Sequence, residues 1–459
     1  MKVSKILQFL RKHIYAVIAM GLVIAIVISF TLPIPVIIQL RKQLASYFQE
    51  PTIVTTAPTE PTLAPTIPTE EEKIKEAIAY LSEQLETTKM RPSLYTQRAA
   101  LYYHLEMYDE AIADYTSALK LYEDPQTYYL RAVVYSVTGS DRKAYKDLSA
   151  ALELEPGNTD YLSLMADTCI NLKKHKESRK YLELLLENDS ENAVLYTLAG
   201  DACVHTEDYS AAAAHYGKAL EHFTGETEEA GISKATLYNA YGNALKMLEK
   251  YAEAADAYTK SLELKDNKEL YFQRGYCLLQ NEEYEAAEKD FTKGIELGYE
   301  VATSKFQRGL CYYIAENYEA ATKDFKDYEE AFPDKSDASM YIGLCYQSLK
   351  DYDNAIIYFQ KSIDADISVG DCSFNIGNCL YNKGSYADAV PYYTTAIEKN
   401  CQLYPALLNR GNAYVKLNKY NEAKVDLKRV IDECTDPELV KSAQTSYDPI
   451  KNITIITKQ

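Results

Sequence analysis

A pair of small residues returns about every 34 positions along this chain of 459 residues. In each pair, a Gly or Ala is followed twelve positions later by Ala or Ser. The first members are Ala99, Ala132, Ala166, Gly200, Gly242, Gly275, Gly309, Gly343, Gly377 and Gly411, and the second members are Ala111, Ala144, Ser178, Ala212, Ala254, Ala287, Ala321, Ala355, Ala389 and Ala423. A fixed period of this size predicts a stack of repeated units rather than a globular enzyme.

Each repeat has the pattern of two amphipathic helices. In the fifth repeat, Ala235 to Leu248 has apolar or small residues at helical spacing, and so does Tyr251 to Leu264. The small residues stand near the middle of each helix, where two backbones approach closely and a large side chain has no room. We therefore expect two crossing helices in every repeat, joined by a short break.

Aromatic residues follow the same period. One often stands four positions after the second small residue, and a Tyr stands three positions before it. The first set is Tyr115, Tyr216, Tyr258, Phe291, Phe325, Phe359 and Tyr393, and the second set is Tyr108, Tyr209, Tyr251, Tyr284, Tyr318, Tyr352, Tyr386 and Tyr420. Because aromatic side chains bury a large area, we interpret this stripe as core packing.

These repeats resemble the tetratricopeptide repeat family, which has a large residue at position 4, a small one at 8, Ala at 20 and an aromatic at 24. Here Tyr95, Tyr128, Tyr196, Tyr238 and Tyr271 take position 4. The resemblance covers residues 92–437. It implies an all-α fold, a right-handed superhelical solenoid of about ten helix-turn-helix repeats, and a non-enzymatic scaffold that binds protein partners.

The ends of the repeat array are expected to be capped. Residues 71–91 have the pattern of a lone second helix, either a capping helix or half a repeat, and residues 438–459 are expected to form a closing helix and a tail. The period stretches by eight residues between the fourth and fifth repeats, through Gly225 to Lys234. A longer loop or a lengthened helix would account for this stretch.

Arg at position 7 and Asp at position 23 occur together in five repeats and are both absent from the other five. The pairs are Arg98 with Asp114, Arg131 with Asp147, Arg274 with Asp290, Arg308 with Asp324, and Arg410 with Asp426. This co-occurrence predicts an ion pair between the two helices of one repeat, acting more to fix register than to add net stability. The alternative is an anion site lined by the arginines, although a paired Arg is a poor ligand for a second anion.

The N-terminus differs in composition from the repeats. Residues 1–13 are basic, residues 14–40 begin with nineteen uncharged residues, and residues 41–70 include a Thr/Pro-rich linker. Nineteen uncharged residues are long enough to span a bilayer, and the basic residues before them predict an N-terminus inside the cell with the repeats outside. This predicts a single-pass anchor in the cell membrane, and a cleaved signal peptide is the alternative.

Charge and motifs exclude several function classes. The net charge of the whole chain is −18. The first 50 residues carry six Lys and Arg and one acid, a net charge of +5, so the remaining residues carry −23. Such an acidic body predicts no nucleic-acid partner. No phosphate-binding loop, nucleophile elbow or metal motif is present, so no cofactor, metal or small-molecule substrate is expected. His205, His215 and His222 cluster in the fourth repeat without a clear third ligand, which favours surface histidines over a metal site.

The nine cysteines argue against an oxidising location. Cys277, Cys311, Cys345 and Cys379 recur 34 residues apart, at a position where other repeats have Ala. We expect them to be small buried residues with free thiols, because equivalent helices lie too far apart for a disulfide. A repeat domain inside the cell, with the opposite anchor topology, therefore stays open as an alternative.

The resemblance also implies where a partner would bind. In this family the concave face is formed mainly by positions 2, 5, 9, 12 and 13 of the first helix. The apolar residues at these positions in the later repeats are Phe272, Tyr276, Phe306, Leu310, Tyr313, Met340, Leu344, Phe374, Tyr381 and Leu408. They predict a groove for a peptide or helix with apolar anchors and some basic residues. Packing against the adjacent repeat is the alternative. The first five repeats are polar to acidic at these positions, as at Asp160, Asp167 and Asp201.

Overall fold

A computed structural model describes residues 69–333 and 337–453, and the regular structure in these ranges is entirely helical. The chain divides into two compact units, Met1–Leu248 and Glu249–Gln459, which we call the N-unit and the C-unit. The N-unit helices are α1 (Glu70–Thr87), α2 (Pro92–His104), α3 (Tyr108–Leu121), α4 (Pro125–Val137), α5 (Asp141–Leu154), α6 (Thr159–Asn171), α7 (His175–Asn188), α8 (Ala193–Val204), α9 (Tyr209–Glu221), α10 (Gly225–Glu229) and α11 (Lys234–Met247). The C-unit helices are α12 (Tyr251–Leu264), α13 (Lys268–Gln280), α14 (Tyr284–Glu296), α15 (Val301–Ile314), α16 (Tyr318–Ala331), α17 (Ser339–Ser348), α18 (Tyr352–Asp364), α19 (Val369–Asn382), α20 (Tyr386–Glu398), α21 (Leu403–Lys416), α22 (Tyr420–Glu433) and α23 (Pro437–Tyr447).

Helical hairpins are the building block of both units. The N-unit contains the hairpins α2/α3, α4/α5, α6/α7 and α8/α9, and the C-unit contains α13/α14, α15/α16, α17/α18, α19/α20 and α21/α22. Each hairpin turn places one residue at the same position in the left-handed region, for example Glu106 at φ 59° and Gly384 at φ 82°. This conformation suits glycine and strains other residues modestly. The short turn therefore brings the two helices of a repeat side by side, as the 34-residue period predicts.

The small residues lie where the two helices of a hairpin cross. A Cβ placed on Gly343 would lie 2.7 Å from the ring of Phe359, and one placed on Gly200 would lie 2.6 Å from the ring of Tyr216. The aromatic residues at position 24 are among the largest fully buried side chains of the protein. The position-24 part of the predicted core stripe is therefore buried, whereas the Tyr residues that stand three positions before the second small residue are only half-buried. The position-24 rings lie directly against the glycines, which explains why those positions are small.

The ends of the described chain are covered as the sequence analysis expects. In the N-unit, Ile74, Ala77 and Leu81 of α1 pack against Ala100 and Leu101 of α2. In the C-unit, α23 and Ile450 join a cluster of apolar residues from α21 and α22. The stretched period between the fourth and fifth repeats contains the short helix α10, which begins at Gly225, and a turn before α11.

The four periodic cysteines are buried, as predicted. Cys277, Cys345 and Cys379 are fully inaccessible and Cys311 is 2% exposed. All nine cysteines of the chain are free thiols in the structure. Burial raises the pKa of Cys345 and of Cys379 to about 11, so these thiols are protonated at neutral pH.

The predicted N-terminal segments lie outside the described residues. These are the basic tail at 1–13, the membrane anchor at 14–40 and nearly all of the linker at 41–70. Among the helices of residues 69–333 and 337–453, none has the length and apolar character to cross a bilayer. The prediction of a membrane anchor is untested by this finding.

Candidate protein-binding surface

The first helices of successive hairpins contact one another within each unit. In the N-unit, the hydroxyl of Tyr161 in α6 donates to Gln126 Oε1 in α4 at 3.1 Å. In the C-unit, Asn409 Nδ2 in α21 donates to Asn378 Oδ1 in α19 at 2.9 Å. These contacts join the first helices into one surface on each unit. We call this surface the first-helix face, and it contains the residues predicted to bind a partner.

The predicted apolar groove of the C-unit is largely filled by its own packing. The ring of Phe306 lies 5.5 Å from that of Phe325, 4.9 Å from Tyr328 and 5.7 Å from Tyr341. Phe272 lies 5.8 Å from Phe291. These offset and edge-to-face contacts stabilise the repeat stack. Packing against neighbouring side chains, the alternative to a groove, therefore accounts for much of the position of these aromatic rings.

The other predicted groove residues show the same tendency. Nine of the ten are half-buried: Phe272, Tyr276, Phe306, Leu310, Tyr313, Met340, Leu344, Phe374 and Tyr381. Leu408 is only 7% exposed and belongs to the core around α22 and α23, which favours the packing alternative at this position. The position within the repeat predicts which helix side a residue occupies, but a long side chain can turn sideways into the gap between neighbouring repeats.

Large apolar side chains are exposed at position 13 of two first helices. The sequence analysis names this position but none of the residues that occupy it. Val137 at the end of α4 is 53% exposed, and Ile314 at the end of α15 is 45% exposed. Both stand at position 13 of their repeat. Their periodic placement is the sequence signal that could have identified them. These side chains are available to a partner at no cost to the core.

Three acidic residues lie on the first-helix face of the N-unit and give it a character different from that of the C-unit. Asp160 and Asp167 of α6 and Asp201 of α8 are exposed at positions 2 and 9 of their repeats. Their side chains reach solvent, yet surrounding protein desolvates them, and burial raises the pKa of all three carboxyls. In the described part of the chain, the Asp160 and Asp167 carboxylates have no ion-pair or hydrogen-bond partner. This face therefore holds negative charge that no side chain in the described part of the N-unit pairs.

Asp201 contributes to the core as well as to the surface. The buried hydroxyl of Tyr216 donates to Asp201 Oδ1 at 2.6 Å. The equivalent pair in the C-unit is Tyr393 and Asn378, where the hydroxyl donates to Asn378 Oδ1 at 2.9 Å. Sequence reasoning missed this coupling. A polar residue at position 9 accompanies Tyr at position 24 in both repeats, whereas Leu310 accompanies Phe325.

All five predicted Arg–Asp pairs are present as two parallel hydrogen bonds. Arg Nε donates to one carboxylate oxygen at 2.7–2.8 Å and Nη2 to the other at 2.7–2.9 Å. In each case Nη1 also donates to a hydroxyl on the second helix of the preceding repeat or half repeat. These hydroxyls belong to Ser82, Thr116, Thr259, Thr292 and Thr394.

Each arginine therefore connects three helices, two from its own repeat and one from the preceding repeat. Its donors face protein acceptors on both sides, which favours the structural bridge over the anion-site alternative. The sequence analysis did not identify the hydroxyl partner. A Ser or Thr that precedes each of these arginines by 15 or 16 residues is the signal that could have revealed it.

The three clustered histidines do not share one site. His215 and His222 flank the ring of Tyr196 at 6.0 and 5.9 Å, while His205 stacks on His175 at 4.1 Å. Among residues 69–333 and 337–453, no group of three or more His, Cys, Asp and Glu side chains is arranged to hold a metal ion. This arrangement favours histidines that pack against neighbouring rings.

Comparison with known proteins identifies the repeats. Two family models described as the tetratricopeptide repeat match residues 239–298, 272–335 and 306–369, and residues 92–125, 159–192, 371–398 and 404–435. Serine/threonine-protein phosphatase T of Aspergillus oryzae is 31% identical over 111 residues, which are 24% of this chain and 23% of the phosphatase. The chain thus spans about a quarter of that curated relative, too little to carry over its enzymatic activity.

Solved structures of repeat proteins are similar over larger parts of the chain. YrrB, a tetratricopeptide repeat protein with an unusual peptide-binding site, is 24% identical over 42% of this chain and 95% of its own, with a TM-score of 0.36. A tetratricopeptide repeat protein from Parabacteroides merdae is 18% identical over 55% of this chain and 98% of its own, with a TM-score of 0.39. Yeast Tom70 is 16% identical over 78% of this chain and 95% of its own, with a TM-score of 0.33. None of these likenesses carries a functional conclusion.

Proposed function

The chain belongs to the tetratricopeptide repeat family, and from that premise we propose that it is a non-enzymatic adaptor that binds a protein segment on its first-helix face. Repeat stacks of this kind offer extended surfaces to other proteins. The observation that carries the proposal is the pair of exposed carboxylates of Asp160 and Asp167 on one face of α6, which have no ion-pair or hydrogen-bond partner in the described part of the chain and whose pKa the surrounding protein raises. A desolvated charge without a partner lowers stability, and it is typical of a site that acquires its partner by binding.

The proposed partner is a peptide or helix with basic residues for the N-unit face and apolar residues for the exposed positions. The acidic N-unit face favours a basic segment by charge complementarity. The exposed side chain of Val137 in the N-unit favours an apolar contact. The half-buried aromatic residues of the C-unit would contribute only the ring edges that their packing leaves accessible.

Site-specific photocrosslinking in the native cells tests this proposal. A photoreactive residue at Ser163, which is exposed on the first-helix face of α6, should form a specific protein adduct. The matched control position is Glu187, which is exposed on the second helix α7 and should form none. The adduct at Ser163 should weaken when Asp160 and Asp167 are both replaced by Asn. Equal adduct yields at Ser163 and Glu187, or a yield at Ser163 that does not change with the Asn replacements, would contradict the proposal.

We also propose that the adaptor is displayed from the cell membrane by residues 14–40, with the repeats outside. The uncharged run that begins at Ile14, the basic residues before it and the Thr/Pro-rich linker after it support this placement. The second candidate is an adaptor on the cytoplasmic side. The nine free cysteines favour it, because exterior proteins tend to oxidise or exclude such thiols.

Labelling of an engineered thiol separates the two topologies. Seven of the nine native cysteines are buried, so Glu187→Cys adds a thiol far more accessible than most of them. A membrane-impermeant maleimide should label this variant more than the wild type in intact cells if the repeats are outside. Labelling only after lysis would instead establish the cytoplasmic topology.

A further inference from the structure

A small cavity on the N-unit lies beside Asp201. It has a volume of about 220 Å³ and lies between α6 and α8, with the start of α7 and Tyr216 of α9 completing its wall. Its lining includes the aliphatic side chains of Ile170, Leu198 and Val204 and the acidic residue Asp201. Its volume is below the roughly 300–1,000 Å³ of pockets for small-molecule ligands, so it suits a single side chain.

The hydrogen bond from Tyr216 does not require a negative charge at Asp201, although the nearby His205 favours that charge. The hydroxyl of Tyr216 needs only an acceptor, and Asn378 supplies that acceptor to Tyr393 at the equivalent position of the C-unit, at 2.9 Å. An Asn at position 201 would therefore hold Tyr216 without the cost of desolvating a carboxylate. The charge at this position instead fits a ligand that enters the cavity.

The rim of the cavity is compatible with a cation. His175 and His205 stack with their ring centroids 4.1 Å apart and an angle of 17° between the planes. Burial, together with the nearby charges of His205 and Lys173, lowers the pKa of His175. These effects disfavour the charged form of His175, whose flat ring can stack on a planar cation.

We propose that this cavity binds the side chain of a lysine or arginine from a protein segment that lies on the first-helix face of the N-unit. The aliphatic stem of such a side chain would pack along Ile170, Leu198 and Val204, and its charged end would bind the carboxylate of Asp201. An arginine would also stack its planar guanidinium on the histidine ring face, whereas a lysine would rely on Asp201 alone. This inference rests on the proposed function and specifies which partner residue is recognised.

Selection from a random peptide library tests the inference on the full-length protein. Three baits are compared: the wild type, Asp201→Asn, and Asn378→Asp as a matched control at the equivalent C-unit position. The wild type and the control should enrich peptides that place one lysine or arginine beside apolar residues. The Asp201→Asn bait should lose this enrichment, with circular dichroism showing unchanged helicity because Asn still accepts from Tyr216.

Affinities of one enriched peptide then quantify the contact. Replacing its basic residue by norleucine should weaken binding to the wild type at least about tenfold and leave binding to Asp201→Asn unchanged. Separate lysine and arginine versions of the peptide show which side chain the cavity prefers. If the wild type and Asp201→Asn enrich the same peptides, this inference is wrong while the proposed function stands. If no bait enriches any peptide, the proposed function fails and the inference fails with it.

Discussion

The N-unit and the C-unit share one internal framework and differ in the surfaces that their first helices present. Both contain Arg–Asp pairs with the same geometry, at Arg131 in the N-unit and Arg274 in the C-unit. The N-unit face carries the carboxylates of Asp160 and Asp167, which have no partner among the described residues, whereas the C-unit face carries aromatic rings that pack on one another. The comparison teaches that contacts between helices repeat along the chain, while the surface residues are free to differ.

The largest expected effect tests whether the framework is truly shared. Arg131→Ala and Arg274→Ala should each destabilise the protein by about 3–5 kcal/mol, because each leaves a buried aspartate without its partner. Thermal and urea unfolding followed by circular dichroism measure the loss. The two variants should agree closely, since the paired side chains are similarly buried in both units.

An exposed ion pair of the C-unit is the control for this prediction. Lys428→Ala removes a partner of Asp432 in a pair that is more than half exposed on both sides, and it should change stability by less than about 0.5 kcal/mol. The double variant Arg274→Met with Asp290→Leu should recover most of the loss, because it removes both buried charges together. A large difference between Arg131→Ala and Arg274→Ala would contradict a common framework.

The next effect distinguishes packing from partner binding on the C-unit face. Phe306→Ala removes a ring that contacts three other aromatic rings, and it should lower the stability by about 2–3 kcal/mol. Ile314→Ala, at an exposed residue of the same helix, should leave stability unchanged. Chemical unfolding of both variants gives the measurement. A Phe306→Ala protein with wild-type stability would show that this ring does not contribute to packing, and would favour a free binding groove on the C-unit face.

A third effect concerns the small residue at the helix crossing. Gly343→Ala in the C-unit should cost about 1–3 kcal/mol, because the added Cβ would lie 2.7 Å from the ring of Phe359. In the N-unit, Ala166 stands at the equivalent position opposite Leu182. Gly157→Ala is the control, since a Cβ there meets no atom within 4 Å. Equal melting temperatures for Gly343→Ala and Gly157→Ala would show that the crossing tolerates a methyl group.

The smallest effect has the opposite sign and belongs to the N-unit face. Burial raises the pKa of Asp167 above its ordinary value, so the folded state holds the proton more tightly than the unfolded state. The stability contributed by this group is complete below the unfolded pKa and is lost as the pH rises through the folded pKa. Asp167→Asn should therefore raise the melting temperature slightly at pH 7.

The pH dependence provides the check on this prediction. The gain from Asp167→Asn should disappear in melts below about pH 3, where the wild-type carboxyl is protonated in both states. Glu187→Gln, at an exposed position of α7, should show no gain at either pH. A loss of stability in Asp167→Asn at neutral pH would mean that the carboxylate has a structural partner after all.

The Arg–Asp pairs show what sequence comparison between repeats predicts well. Arg308 and Asp324 are 16 residues apart, and their joint presence or absence across ten repeats was enough to predict a contact. The third partner of Arg308 is Thr292, which belongs to the preceding repeat. It was missed because positions were compared only within one repeat. The pairing of Asp201 with Tyr216 was missed for another reason. The acceptor for the Tyr at position 24 is Asp in one repeat and Asn in another, so no single residue type recurs.

The sequence by itself determined the repeat, its two helices, the small residues at the crossing and the ion pairs. These features depend on spacing along the chain, and a helix converts spacing directly into a face. Only the tertiary structure decided which first-helix side chains are exposed. Phe306 and Ile314 are both apolar and eight residues apart on α15, yet one fills the gap toward Tyr341 and the other remains open to solvent. The reason is physical: a neighbouring repeat covers part of each helix, and the sequence of one repeat does not contain the shape of the gap beside it.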